Sequence, residues 1–235
     1  MRPWLAGLLA SLILLAGCGP VLLSEPLGTA AAPPPMLRYL ALGDSYTIGE
    51  SVQPAERWPV QLAARLRAGG LAVAEPVIVA RTGWTTAELA AGLDTAQPAG
   101  PFDLVSLLIG VNNQYRGQGV ADYDAELAAL LDRAIDLAGG APGRVLVLSI
   151  PDWGVTPFAT GRDRAAIAAE IDAFNAVNRA AAEARGVPYL DITPGSRRAA
   201  KVPALLAEDG LHPSGVLYAE WAALAEPVVR AALQR

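Results

Sequence analysis

Five short apolar runs recur along the chain, and each is followed by a longer segment in which apolar and polar residues repeat at helical spacing. The runs predict strands over 38–43 (RYLALG), 75–81 (EPVIVAR), 102–110 (FDLVSLLIG), 144–150 (RVLVLSI) and 187–192 (VPYLDI). Their near-continuous hydrophobicity is that of strands buried on both faces, as parallel strands are. The segments between them predict helices over 57–68, 85–93, 121–138, 163–185 and 214–233. In the third, Leu127, Leu130, Leu131, Ala134 and Leu137 form one apolar stripe. Five β–α units in series predict an α/β fold, a three-layer α/β/α sandwich around a central parallel five-stranded sheet. No internal repeat of solenoid period is present. In such sheets ligands bind beyond the carboxyl ends of the strands. Four polar stretches fall at those ends or in loops: "GDSYTIG" after the first strand, "RTGWTT" after the second, "GVNNQYRG" after the third and "EDGLHPSG" before the last helix.

The pattern breaks down ahead of the first strand. Residues 1–17 read as a secretory signal, with Arg2 followed by an apolar stretch from Trp4 to Leu15 that is shorter than a ~20-residue membrane span. Leu15-Ala16-Gly17-Cys18 resembles the bacterial lipobox, which implies cleavage before Cys18 and lipidation of its thiol. Residues 18–36 read as a Pro- and Ala-rich tether, and residues 37–235 as the folded domain. The expected location is the cell envelope, lipid-anchored to a bacterial membrane and facing the extracytoplasmic side, anchored without spanning.

Composition narrows the chemistry. Of 235 residues 53% are hydrophobic, enough for one α/β domain with a sizeable core. The net charge of -5, the pI near 4.9 and the lack of a basic run argue against nucleic acid as a partner. Cys18 is the only cysteine, so no internal disulfide forms, and His212 is the only histidine. With one residue of each kind, only carboxylates remain for a zinc site, so neither a metal nor any other cofactor is expected. The paired acids Asp122 and Asp124 sit at a predicted helix start, where capping and dipole effects explain them. A monomer is expected.

Ser45 alone is weak evidence, since serine at a helix start is ordinarily a cap. His212 changes its weight. It follows Asp209 by three residues in a loop, a spacing at which a carboxylate accepts the Nδ1 proton and leaves Nε2 to face a nucleophile. Serine, base and orienting acid are the minimum set for acyl transfer. The GxSxG elbow does not fit, because Ser45 stands in Gly-Asp-Ser-Tyr-Thr, and acid and base share one loop. Asp44, beside the serine, reads as an acceptor for loop N–H groups.

Taken together, Gly43-Asp44-Ser45, Gly83 in "RTGW", Gly110-Val111-Asn112-Asn113 and Asp209-Gly210-Leu211-His212 resemble the ordered blocks of the SGNH/GDSL hydrolase superfamily. The resemblance spans nearly the whole folded domain and implies a flavodoxin-like fold and an esterase. It implies Ser45 as nucleophile, His212 as base and Asp209 as its orienter. The implied oxyanion hole is the backbone N–H of Ser45, that of Gly83 and the side-chain amide of Asn112. The chain departs from the family at Asn113, where aspartate is usual, and a change in local hydrogen bonding rather than loss of activity is expected.

The long segment 151–163 offers Trp153, Thr156 and Phe158 as substrate walls, with Trp153 and Phe158 alternatively covering the sheet edge, and Asp152 as a turn former. No insertion is large enough for a lid, so a shallow cleft and short acyl groups are expected. The substrate is expected to be a small-molecule, acylated-glycan or lipid ester. The alternative is a catalytically silent, lipid-anchored lipoprotein that binds a ligand in the same cleft.

Overall fold

The computed structural model describes Met1 and residues 35–234. The rest of the leader, Cys18 with its expected lipid, and the tether up to residue 34 lie outside the described residues. A parallel bridge from Leu37 to Val73 leads into β1 (Tyr39–Gly43), which is buried along its whole length. The remaining strands are β2 (Val77–Ala80), β3 (Leu104–Leu108), β4 (Val145–Leu148) and β5 (Tyr189–Leu190). They form one parallel sheet in the order β2-β1-β3-β4-β5.

The five expected helices are present as α2 (Trp58–Ala68), α3 (Thr86–Ala96), α5 (Val120–Leu137), α6 (Arg164–Ala184) and α8 (Gly215–Leu233). Three short ones join them: α1 (Ser45–Ile48), α4 (Val111–Tyr115) and α7 (Thr193–Arg197). Helix α2 packs on α8, while α5 packs on both α3 and α6, so helical layers enclose the sheet. The core is aliphatic at the sheet, with Leu40, Leu42, Val105 and Leu148 fully buried, and aromatic beneath α8, where Trp58 and Trp221 are also fully buried. Burial of such side chains contributes roughly 1.5–3 kcal/mol each.

Two expectations about the strands need correction. Every strand is shorter than its apolar run, because the run continues into loops that cover the sheet ends. The edge strands are also not buried on both faces: Val77 of β2 is 46% exposed, and both residues of β5 are half-buried. Only β1, β3 and β4 are enclosed throughout.

The strand order reverses between β1 and β3. The chain leaves β1 toward one edge of the sheet and β3 toward the other, which opens a crevice at their carboxyl ends. Gly43 closes β1 there. A Cβ on it would lie 2.4 Å from the Leu108 carbonyl oxygen and 2.2 Å from Thr47 Oγ1, so no larger residue fits between the two strands. The next residues, Asp44 and Ser45, enter the crevice.

Candidate active site

Asp44 settles what Ser45 is not. The cap of α1 is Asp44, whose Oδ1 accepts from the Tyr46 N–H at 3.0 Å. Ser45 is therefore the first helical residue, and among the described residues its hydroxyl makes no hydrogen bond. Asp44 does serve as the expected acceptor for a loop N–H, but its Oδ2 is buried without a partner. Burial pushes this carboxyl up to about 7, against the smaller opposing effect of the Tyr46 N–H.

Ser45 and His212 line one cleft of about 170 Å³, together with Gly83 and Asn112. Asp209 stands behind His212, its Oδ2 lying 2.6 Å from Nδ1. The other carboxylate oxygen, Oδ1, accepts the backbone N–H groups of Leu211 and His212, each at 2.9 Å. Burial works against the charged form of Asp209. The hydrogen bonds from His212, from Ser51 and from these two N–H groups outweigh it and hold the carboxyl down at about 2. The imidazole rests edge-on against Tyr46, with ring centroids 5.5 Å apart. Burial and the nearby charges of Asp44, Asp152 and Asp209 push the Tyr46 phenol well up, so it stays neutral. No hydrogen bond joins Ser45 Oγ to the ring, and such contacts often tighten only with substrate bound.

The loop bearing His212 is braced locally. An antiparallel bridge pairs Leu206 with Pro213, and the Ala207 N–H donates to the His212 carbonyl at 2.8 Å.

The three candidate oxyanion donors come from separate elements and converge on the crevice. Neither the Ser45 nor the Gly83 N–H donates to any loop or turn carbonyl among the described residues. Gly83 has φ of +86°, and a Cβ there would meet only Arg116 Nη2, at 3.8 Å. Glycine is required for that backbone conformation rather than by crowding. Asn112 spends one amide hydrogen on the Trp84 carbonyl at 2.9 Å and retains a second.

Asn113 clamps the same loop. Its Oδ1 accepts from the Thr86 N–H at 3.1 Å, while its Nδ2 donates to Thr86 Oγ1 at 2.6 Å and Gln118 Oε1 at 2.5 Å. Glu126 Oε2 lies 3.4 Å from the same nitrogen. An aspartate would lack the donor and set a second carboxylate against Glu126. Asn113 thus suits its neighbour, its amide nitrogen facing the Glu126 carboxylate.

One wall of the cleft is aromatic. Trp153 and Phe158 both line it, joined by Tyr115 from α4, with ring centroids 5.4 to 6.1 Å apart. Thr156 is not part of the wall: it is buried, and its hydroxyl donates to the Trp153 carbonyl at 2.7 Å. Asp152 makes the expected turn, accepting from the Gly154 N–H, and also pairs with Arg197 at 2.9 Å. Sequence reasoning passed over Tyr115 and Gln114, although both directly follow Asn113. Gln114 Oε1 accepts the Trp153 indole N–H at 2.8 Å, and its Nε2 donates to Glu170 at 2.6 Å, which fixes the indole. The Arg162 guanidinium covers the cluster, 5.0 Å from the Tyr115 ring and 5.3 Å from that of Trp153.

A model of the GDSL-like lipase/acylhydrolase family matches residues 41–219. None of the curated proteins matches the chain. Similar solved structures include a lipase/acylhydrolase from Enterococcus faecalis, at 23% identity and TM-score 0.63, covering 85% of this chain and 97% of that one. An extracellular lipase from Streptomyces rimosus aligns at 24% identity and TM-score 0.61, covering 83% and 99%. An acetylxylan esterase from Geobacillus stearothermophilus aligns at 20% identity and TM-score 0.61, covering 85% and 94%. At these identities the likeness is one of fold.

Asp44 generates a pH prediction. The unfolded chain ionises this carboxyl near pH ~3.9, whereas the folded chain does so at about 7. Between those values the folded state holds a proton that the unfolded state lacks, so stability falls as pH rises and levels off above pH 7. Urea midpoints at pH 4.5, 6 and 7.5 should show wild type losing at least ~1 kcal/mol relative to Asp44→Asn across this window. A constant difference between the two proteins would mean that Asp44 ionises in the ordinary range.

Proposed function

The chain belongs to the GDSL-like lipase/acylhydrolase family and is an ester-hydrolysing enzyme, and from that premise we propose that it works through an acyl-enzyme on Ser45. The observation that carries the reading is the 2.6 Å Asp209–His212 pair, facing the same cleft as a serine hydroxyl that capping leaves free. Ser45 Oγ attacks the ester carbonyl carbon while His212 Nε2 takes its proton, and Asp209 steadies the ring and its positive charge. The oxyanion is met by the N–H groups of Ser45 and Gly83 and by the Asn112 amide. On collapse the bond to the alcohol breaks and Nε2–H protonates the departing alkoxide. Water then attacks the acyl carbon, giving its proton to Nε2. Release of the acid returns that proton to Ser45 Oγ.

The cleft suits a short acyl group. Its volume of about 170 Å³ lies below the ~300 Å³ at which sites for drug-sized ligands begin. The aromatic wall offers a flat apolar face for the acyl group or the alcohol. Fold neighbours described as an acetylxylan esterase and a lipase make sugar and lipid esters reasonable substrates to try. We also propose lipid anchoring at Cys18, supported by the sequence that precedes it.

Three measurements test this reading. Ser45→Ala and His212→Ala should each lower kcat by at least ~10³ with melting temperature unchanged, and Asp209→Asn by a similar or smaller factor. Turnover near wild type in folded Ser45→Ala would mean that the ester is cleaved without an acyl-enzyme on Ser45, and no turnover in wild type would leave ligand binding as the better account of the cleft. Along a p-nitrophenyl ester series, kcat/KM should peak at acetyl to butyryl, because methylenes that reach solvent gain none of the ~0.8 kcal/mol each that burial gives. Efficiency rising to dodecanoyl, measured below the micelle concentration, would show that a longer acyl site opens in solution. Finally, wild type expressed in a bacterium should incorporate labelled fatty acid and partition with membranes, and Cys18→Ser should do neither. Equal labelling of the two would remove the anchor.

A further inference from the structure

Two described residues other than glycine have positive φ, Ser51 at +62° and Gln97 at +41°. Gln97 is the left-handed cap that ends α3. Ser51 has no such explanation, because the cap of α1 is Gly49. A side chain held in this region needs compensation from its surroundings, and such residues gather at functional sites.

What the conformation achieves is a hydrogen bond across the fold. Ser51 Oγ donates to Asp209 Oδ2 at 2.7 Å, and that oxygen also receives His212 Nδ1 at 2.6 Å. Each oxygen of Asp209 thus serves two donors, Oδ1 being occupied by the backbone of Leu211 and His212. Apart from His212, Ser51 is the only described side chain bonded to this carboxylate.

We infer that Ser51 is a positioning residue acting through Asp209, which ties the segment that begins with Ser45 to the loop that carries the base. The inference rests on the reading of Ser45, His212 and Asp209 as the reacting set. A second donor on Oδ2 does two things. It fixes the rotation of the carboxylate, and it draws negative charge from the oxygen facing the imidazole, weakening that oxygen's hold on the protonated ring.

Tyr46 rests against the edge of the ring, Asp44, Asp152 and Asp209 act electrostatically on that tyrosine, and Tyr46, Asp44, Asp209 and Glu50 act on Tyr218. Substitution at position 51 leaves all of them in place.

The test separates the hydroxyl from the backbone. Ser51→Gly removes the hydroxyl but adopts the same φ without strain, so any loss in its melting temperature comes from the hydrogen bond and not from the backbone. Ser51→Thr keeps the hydroxyl but strains a β-branched residue, so it should melt lower. With p-nitrophenyl acetate, the ratio of kcat/KM at pH 5.5 to that at pH 8 should fall about threefold in Ser51→Gly and in Ser51→Ala. It should remain near wild type in Ser51→Thr. The chain has one histidine, so the Nδ1 proton gives a single resonance that should move in Ser51→Gly and hold its place in Ser51→Thr. A ratio and a resonance that follow melting temperature rather than the hydroxyl would overturn the inference and leave Ser51 a structural residue. Ser45→Ala and His212→Ala, assayed in parallel, separate the two levels. Activity surviving in those variants sinks the triad and the inference with it, whereas an unmoved Ser51→Gly in an enzyme they silence sinks only the inference.

Discussion

The reversal of winding between β1 and β3 is the constraint on which the site depends. Two adjacent parallel strands whose chains depart in opposite directions cannot cover the gap between their carboxyl ends, and the loops leaving them form its walls. Gly43 narrows the turn out of β1 until only glycine fits, and Asp44 takes over the helix cap at the cost of burying a carboxyl. These two residues deliver a serine hydroxyl into the gap without local obligations. Asn112, leaving β3 by the equivalent route, is engaged on one side by the Trp84 carbonyl and open on the other.

Much of this was legible in the sequence, and the limits have physical causes. Apolar runs and helical periods located every strand and long helix, because burial in three layers imposes those patterns. The short helices α1, α4 and α7 span four or five residues, too few to display a period. Whether Ser45 or Asp44 caps α1 was undecidable from sequence, since both are good caps and stand side by side. The exposure of β2 and β5 was missed because lateral position in a sheet leaves little trace in a short run. Thr156 was misassigned for a similar reason: its neighbours Trp153 and Phe158 face the cleft, while its own hydroxyl folds back on the turn. Tyr115 and Ser51 gave no local signal. Their significance comes from partners 38 residues away in the first case and 158 in the second.

The aromatic wall and the His212 loop are mechanically joined. Trp153 is held through its indole by Gln114, which Glu170 of α6 holds in turn, and the Phe158 N–H reaches the Gly210 carbonyl inside the histidine loop at 3.4 Å. The aromatic wall and the loop bearing His212 therefore share one framework, braced from the α6 side and closed by the 206–213 bridge. Arg162 sits on the outer face with its guanidinium within 6.0 Å of all three rings, although Tyr115 and Phe158 stay partly open to solvent.

Asn113 and Glu126 make one unit with the segments that hold Gly83 and Asn112. The amide nitrogen at 113 lies 3.4 Å from the Glu126 carboxylate, and Gln118 donates to that same carboxylate at 2.9 Å while accepting from Asn113. A carboxylate at 113 would set like charges side by side and force one of them to keep its proton. The geometry of those segments is therefore tied to the charge state of a helix residue that does not itself enter the cleft.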